Sequence, residues 1–184
     1  MIGIDHHTVE QIEVNKPAIC RDILCALPEW FGLPDAIEGY ALGVEALPMF
    51  GVAADGATIG FLSLKVHTPS AAEAYVLGVK KPWQGQGASR RLFAAAEGWC
   101  RERALPFLTV KTLAASHPDP FYARTRAFYA AIGFQPLEVF PTLWSAANPC
   151  LLMVKVLDDR TSLHGNMSSH DHLSLHDHMS LRGG

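Results

Sequence analysis

Apolar and polar positions alternate, cluster and break along the chain in a way that outlines its elements. Thr8–Val14 reads as a short strand and Lys16–Ala26 as a helix capped by Asn15. Residues 27–34 form a turn carrying Trp30 and Phe31, and a second helix is expected from Asp35 to Glu45, just after Pro34. Met49–Ala54 is apolar, Asp55-Gly56 is a tight-turn dipeptide, and Ala57–His67 is a long apolar-rich strand, so a hairpin is predicted. Thr68-Pro69-Ser70 breaks the chain before another strand, Glu73–Val79. Beyond the loop Lys80–Gly87, Leu92, Ala95, Ala96 and Trp99 recur at spacings of three and four, which predicts an amphipathic helix over Gly87–Arg103. Phe107–Leu113 is a strand. Asp119-Pro120 opens a helix over Phe121–Ala131, with Gly133 just past its end. Phe134–Phe140 and Pro149–Val156 complete the pattern as two more strands.

The order β-α-α-β-β-β-α-β-α-β-β is a mixed α/β arrangement with crossovers between late strands. With 184 residues, 49% hydrophobic and 18% charged, the chain is expected to form one core, placed over residues 1–157. From Asp158 the pattern stops. Ser169–Ser180 is an imperfect six-residue repeat whose four His and two Asp could ligate a transition metal. It has no core-forming face, so residues 158–184 are read as a disordered His-rich tail.

No apolar run approaches the roughly 20 residues of a membrane-spanning helix, and the polar start does not resemble a secretory signal. Cys20, Cys25, Cys100 and Cys150 lack zinc-site spacing and are read as free thiols in a reducing cytoplasm, with no metal. A net charge of −3 gives no reason to expect nucleic acid or a membrane surface as partner. The distribution is more informative. Between Arg21 and Lys65 there is no base, while Glu29, Asp35, Glu38, Glu45 and Asp55 are acidic; from Lys80 to Arg126 nine bases face three acids. One half suits a cation and the other a polyanion.

The chemistry concentrates in Gln84-Gly85-Gln86-Gly87-Ala88-Ser89-Arg90-Arg91-Leu92, between a strand and an amphipathic helix. A helix start presents unpaired N–H groups and the positive end of the helix dipole. Gly85 and Gly87 permit close backbone approach and the dihedrals of an anion nest, and Arg90 adds charge. This is a phosphate cradle. It is not Gly-x-x-x-x-Gly-Lys-Ser/Thr, nor Gly-x-Gly-x-x-Gly, and antiparallel strands precede it, so NTPase and dinucleotide-binding folds are disfavoured.

Gln84-x-x-Gly87-x-Ser89 resembles the Gln/Arg-x-x-Gly-x-Gly/Ala fingerprint of the GCN5-related N-acetyltransferases (GNAT), with Ser89 as the last small residue. Tyr129-Ala-Ala-Ile-Gly133-Phe134 is similar to that family's Tyr-x-x-x-Gly-Phe. The resemblance, over about residues 8–157, implies a central, mostly antiparallel twisted sheet flanked by helices. It also implies transfer of an acetyl group from acetyl-CoA directly to a primary amine. Residues 84–90 (Gln84, Gly85, Gln86, Gly87, Ala88, Ser89, Arg90) would hold the pyrophosphate. The backbone of Leu77, Gly78 and Val79, at an expected strand bulge, would hold the pantetheine and oxyanion. Glu73, eleven residues before Gln84, matches the family's catalytic glutamate, and Tyr129 its proton donor to sulfur. Tyr122 stands where the family carries a CoA-positioning asparagine.

The acceptor wall is expected from the first two helices and the loop after Leu113: Trp30, Phe31, Asp35, Glu38, Tyr40 and His117. An acidic, aromatic wall suits a small polyamine- or aminoglycoside-like cation. A non-catalytic acyl-CoA sensor and a protein N-terminal or lysine acetyltransferase are the rival readings. Leu143–Leu152 is a candidate edge for a homodimer, with Trp144 in a turn.

Overall fold

The computed structural model describes residues 8–157; the expected His-rich tail lies outside them. The strands are β1 (Val9–Gln11), β2 (Met49–Ala54), β3 (Ala57–Thr68), β4 (Ala71–Val79), β5 (Phe107–Leu113), β6 (Gln135–Ser145) and β7 (Asn148–Val156). The helices are α1 (Lys16–Cys25), α2 (Pro34–Gly43), α3 (Ala88–Glu102) and α4 (Pro120–Ala131), with one 3-10 turn at Lys81–Trp83. One seven-stranded sheet has the order β1-β2-β3-β4-β5-β7-β6. Its pairs are antiparallel except β4–β5, which are parallel.

Each face of the sheet buries its own core. On one side Ile23, Leu24, Ile37 and Ala41 of α1 and α2 pack on Met49, Phe61 and Val76. On the other, Leu92, Phe93, Ala96 and Cys100 of α3 meet Val52, Leu62, Leu64, Val110 and Phe134. The stripe expected on α3 is the buried one, with Ala95 and Trp99 at its margin. Burying a side chain of Phe or Leu size contributes roughly 1.5–3 kcal/mol, so each helix is held chiefly by its apolar face.

Two local readings change. Asn15 does begin α1, but in the left-handed conformation (φ 59°) and without a side-chain capping bond. The sixth strand does not stop at Phe140: it runs to Ser145, so Trp144 lies in a strand. Pro141 permits this because β6 is the last strand of the sheet, where one edge needs no donor. The four cysteines are free thiols, with Cys20, Cys100 and Cys150 buried.

The decisive feature is a divergence. β4 and β5 pair over only Ala71–Glu73 and Phe107–Thr109. Beyond that point β4 stays on β3 and β5 stays on β7, so a cleft opens between Ala74–Val79 and Val110–Leu113. The backbone edges lining it are free of ladder partners.

Candidate active site

The cleft is a cavity of about 710 Å³, lined by Leu77, Gly78, Val79, Gln84, Gly85 and Ser89 at one end and by Lys65, His67, Glu73, Lys111 and Trp144 at the other. Volumes of this order hold small organic ligands.

Gln84 shapes the first end by donating its Nε2–H to the Val79 carbonyl at 2.8 Å, which folds the loop back on β4. Gly85 (φ 76°) and Gly87 (φ 85°) then adopt the left-handed conformation, and a Cβ at either would meet nothing within 4 Å. Here glycine serves the backbone turn and leaves open space in front of it. Gly87 caps α3 without any side-chain bond, so the first N–H groups of the helix are available. Gly87, Ala88 and Arg90 line a small adjoining hollow of about 150 Å³ with Trp83, Gly85, Ser89 and Phe128. Gln86 lines neither: its amide donates to the Pro82 carbonyl at 2.8 Å and the residue is exposed. An open nest of left-handed glycines at a helix start fits a diphosphate.

The expected bulge lies elsewhere on β4. Leu77, Gly78 and Val79 pair regularly with Leu62, Phe61 and Gly60, and the unpaired extra residue is Tyr75, between Ala74 and Val76. Gly78 is small for another reason: a Cβ there would come within 3.0 Å of Ile23 and Leu27 of α1.

At the second end Glu73 is buried, paired across β3 with Lys65. Its Oε2 accepts from Lys111 Nζ at 2.7 Å and lies 2.6 Å from His67 Nε2. His67 is itself a bulge residue, skipped between the pairs Val66–Ala72 and Thr68–Ala71. Tyr129 is held among Phe93, Phe128 and Phe134 with ring centroids 5.8–5.9 Å away, and burial pushes its phenol far up, so it stays protonated. Thr112 Oγ1, fully buried on β5 and lining the cavity, has no hydrogen-bond partner among the described residues.

The acceptor wall is only partly the expected one. Trp30, Phe31 and Tyr40 line the cavity, joined by Tyr75, Tyr122 and Trp144. Tyr122 donates to the Trp30 carbonyl at 3.0 Å, and Trp30 Nε1 donates to Thr125 Oγ1 at 3.1 Å, so α4 clamps the loop after α1. Asp35, Glu38 and His117 do not reach the cavity. Glu38 is tied to Arg21 at 2.8 and 2.9 Å, and Asp35 is exposed in the first turn of α2. His117 Nδ1 accepts from the Asp119 amide at 3.3 Å beside the α4 cap. Part of the acidic half of the sequence is paired where it folds, Glu38 with Arg21, Asp22 with Lys80 and Glu29 with Lys81. Glu73 is the one carboxylate lining the cavity among the described residues.

His67, Lys111, Lys65, Tyr75 and Thr112 were missed as site residues. The available signal was polar and aromatic side chains interrupting apolar strands at positions 65, 67, 73, 75 and 111. Cross-strand register, which joins them, is not written in any one segment.

A family model described as an acetyltransferase (GNAT) domain matches residues 47–136, from just before β2 into β6, taking in the cradle, Glu73 and Tyr129. Over these residues the chain is similar to the GNAT acetyltransferases. No curated protein sequence matches it. Among solved structures, a protein of the GNAT family from Desulfovibrio desulfuricans is similar, with a TM-score of 0.71 and 16% identity, over 83% of this chain and 99% of that one. An aminoglycoside 6'-N-acetyltransferase complexed with coenzyme A reaches 0.67 at 15% identity, over 83% and 98%. The ribosomal-protein-S18-alanine N-acetyltransferase from Escherichia coli reaches 0.65 at 17%, over 89% and 99%. At such identities the likeness is one of fold. It supports the GNAT fold and leaves the acceptor to the cavity's own chemistry.

Proposed function

We propose that this protein transfers an acetyl group from acetyl-CoA to the primary amine of a small molecule. The observation that carries the reading is one cavity running from Gly85 and Ser89, at the glycine nest, to buried Glu73 with Lys111 and His67. Gly85, Ser89 and the start of α3 hold the diphosphate; the open edge of β4 from Ala74 to Val79 receives the pantetheine arm. Bound there, acetyl-CoA supplies an activated acyl carbon. Tyr129, protonated throughout the working pH range, donates its hydrogen to the departing sulfur. Holding both reactants in one cleft supplies the orientation on which such a transfer depends.

The acidic wall from which a polyamine- or aminoglycoside-like acceptor was expected does not line the cavity: Asp35 and Glu38 lie outside it and Glu73 is already engaged. Lys65 stands over the Tyr75 ring at 5.5 Å, and among the described residues it has no acidic partner. Arg124 lies over Phe121 at 4.7 Å. With Tyr40, Tyr75 and Trp144 forming the walls, the cavity favours a primary amine on a flat apolar body that also carries an anionic group.

Thiol release from acetyl-CoA across an amine panel tests this. The expected order is 4-(aminomethyl)benzoate above benzylamine above spermidine. Coenzyme A binding by calorimetry without release from any amine supports the sensor reading instead. Release with peptides alone supports the protein-modifying one.

A further inference from the structure

Resting on that reading, we propose that His67 is the base that takes the proton from the acceptor amine, and that Glu73 is its positioning residue. Glu73 was expected to be the base itself. Its Oε2, however, is occupied from two sides, by the Lys111 ammonium at 2.7 Å and by the His67 ring at 2.6 Å. Both contacts would have to be rearranged before that oxygen could receive a third proton. The Glu73 side chain is 7% exposed, whereas that of His67 is 39% exposed at the cavity wall.

The geometry also selects the tautomer of the ring. A carboxylate only accepts, so the hydrogen between the two groups sits on His67 Nε2. In the neutral ring Nδ1 is then bare and able to accept. The bulge that leaves His67 out of the β3–β4 ladder is the device that turns its ring toward Glu73. Bulges commonly re-aim a side chain in this way. A buried carboxylate fixing one imidazole nitrogen and steadying the imidazolium, with the other nitrogen left for chemistry, is the logic of hydrolase triads on an unrelated scaffold. Lys111, on the far side of the carboxylate, holds it in place.

The step balances. The amine lone pair forms the bond to the acyl carbon as the C–S bond breaks and leaves its electron pair on sulfur. The amine hydrogen goes to His67 Nδ1, sulfur receives the Tyr129 hydrogen, and both side chains return to their starting states by exchange with water. Acceptor amide and free thiol are the only products.

Two measurements decide it. In the full-length protein, 15N NMR assigned by loss of the signal in His67→Gln is expected to show neutral His67 protonated at Nε2. A ring protonated at Nδ1 overturns the assignment without reference to turnover. With 4-(aminomethyl)benzoate, His67→Ala is expected to lower kcat roughly 100-fold. Coenzyme A affinity should stay within about twofold, and added imidazole should restore part of the rate. Full turnover in His67→Ala, while the wild type is active, overturns the inference and leaves the acetyltransferase reading standing. A wild type that releases no thiol with any amine overturns that reading itself.

Discussion

At one end of the cleft, Gly85 and Gly87 turn main-chain amides toward open space, and the side chains nearby mostly serve the loop itself: Gln84 bonds Val79, Gln86 bonds Pro82. At the other end the backbone is a ladder interrupted by bulges at His67 and Tyr75, and the site consists of side chains, Lys65 and His67 from β3, Glu73 and Tyr75 from β4, and Lys111 from β5. The donor end is thus a local conformation, and the acceptor end is a product of register. A family can keep the first with a handful of glycines while the second changes with any substitution along three strands, which is how one fold serves many acceptors.

If the two ends are independent, variants should separate them. Glu73→Gln is expected to have the largest effect, lowering turnover by about two orders of magnitude. Coenzyme A affinity by calorimetry should hardly move. Equal loss of both would make Glu73 a structural ion-pair residue, since removing one partner of a buried pair is itself costly. Gly87→Val works at the opposite end. A branched side chain at φ 85° is strained by about 1–3 kcal/mol and fills the open cradle, so coenzyme A binding should weaken by roughly tenfold or more. Turnover at saturating donor should be nearly kept.

The same contrast explains what could be read from the sequence. The cradle was legible because Gln84–Ser89 is contiguous and glycine's freedom at Gly85 and Gly87 is a property of the residue itself. Tyr129 and Gly133 were legible because they close one helix. The helix and strand order followed from periodicity, save at β6, where an edge position overrode the Pro141 break. The acidic wall was misread because charge along the chain is not charge in space: Glu29 and Asp22 pair with Lys81 and Lys80 from the supposedly separate basic half. His67 escaped notice because a bulge, which shifts one residue out of register, has no signature in composition.

A smaller effect sharpens the acceptor end alone. Lys65→Met keeps the stem that lies on Tyr75 and removes the charge. A hydrogen bond to a charged group is worth about 1.5–3 kcal/mol, so KM for 4-(aminomethyl)benzoate should rise roughly tenfold, with KM for benzylamine unchanged. A matching rise for the neutral amine would remove the anion-binding role of Lys65.

The smallest expected effect probes the clamp that joins the ends. Tyr122→Phe deletes the bond to the Trp30 carbonyl at about 1 kcal/mol, which for a protein of this size lowers Tm by about 2–4 °C. Trp30 remains tethered through Thr125, so KM for the amine should change only a few-fold and coenzyme A affinity not at all. Burial pushes the Tyr122 phenol up to about 12, above its unfolded value near 10. A group raised on folding stabilises fully below its unfolded pKa and loses that contribution as pH rises toward the folded one. The gap in Tm between wild type and Tyr122→Phe should therefore be constant through neutral pH and narrow between about pH 10 and 12. A gap that stays constant from neutral pH through pH 12 would mean that the phenol is solvated and the loop not clamped by it.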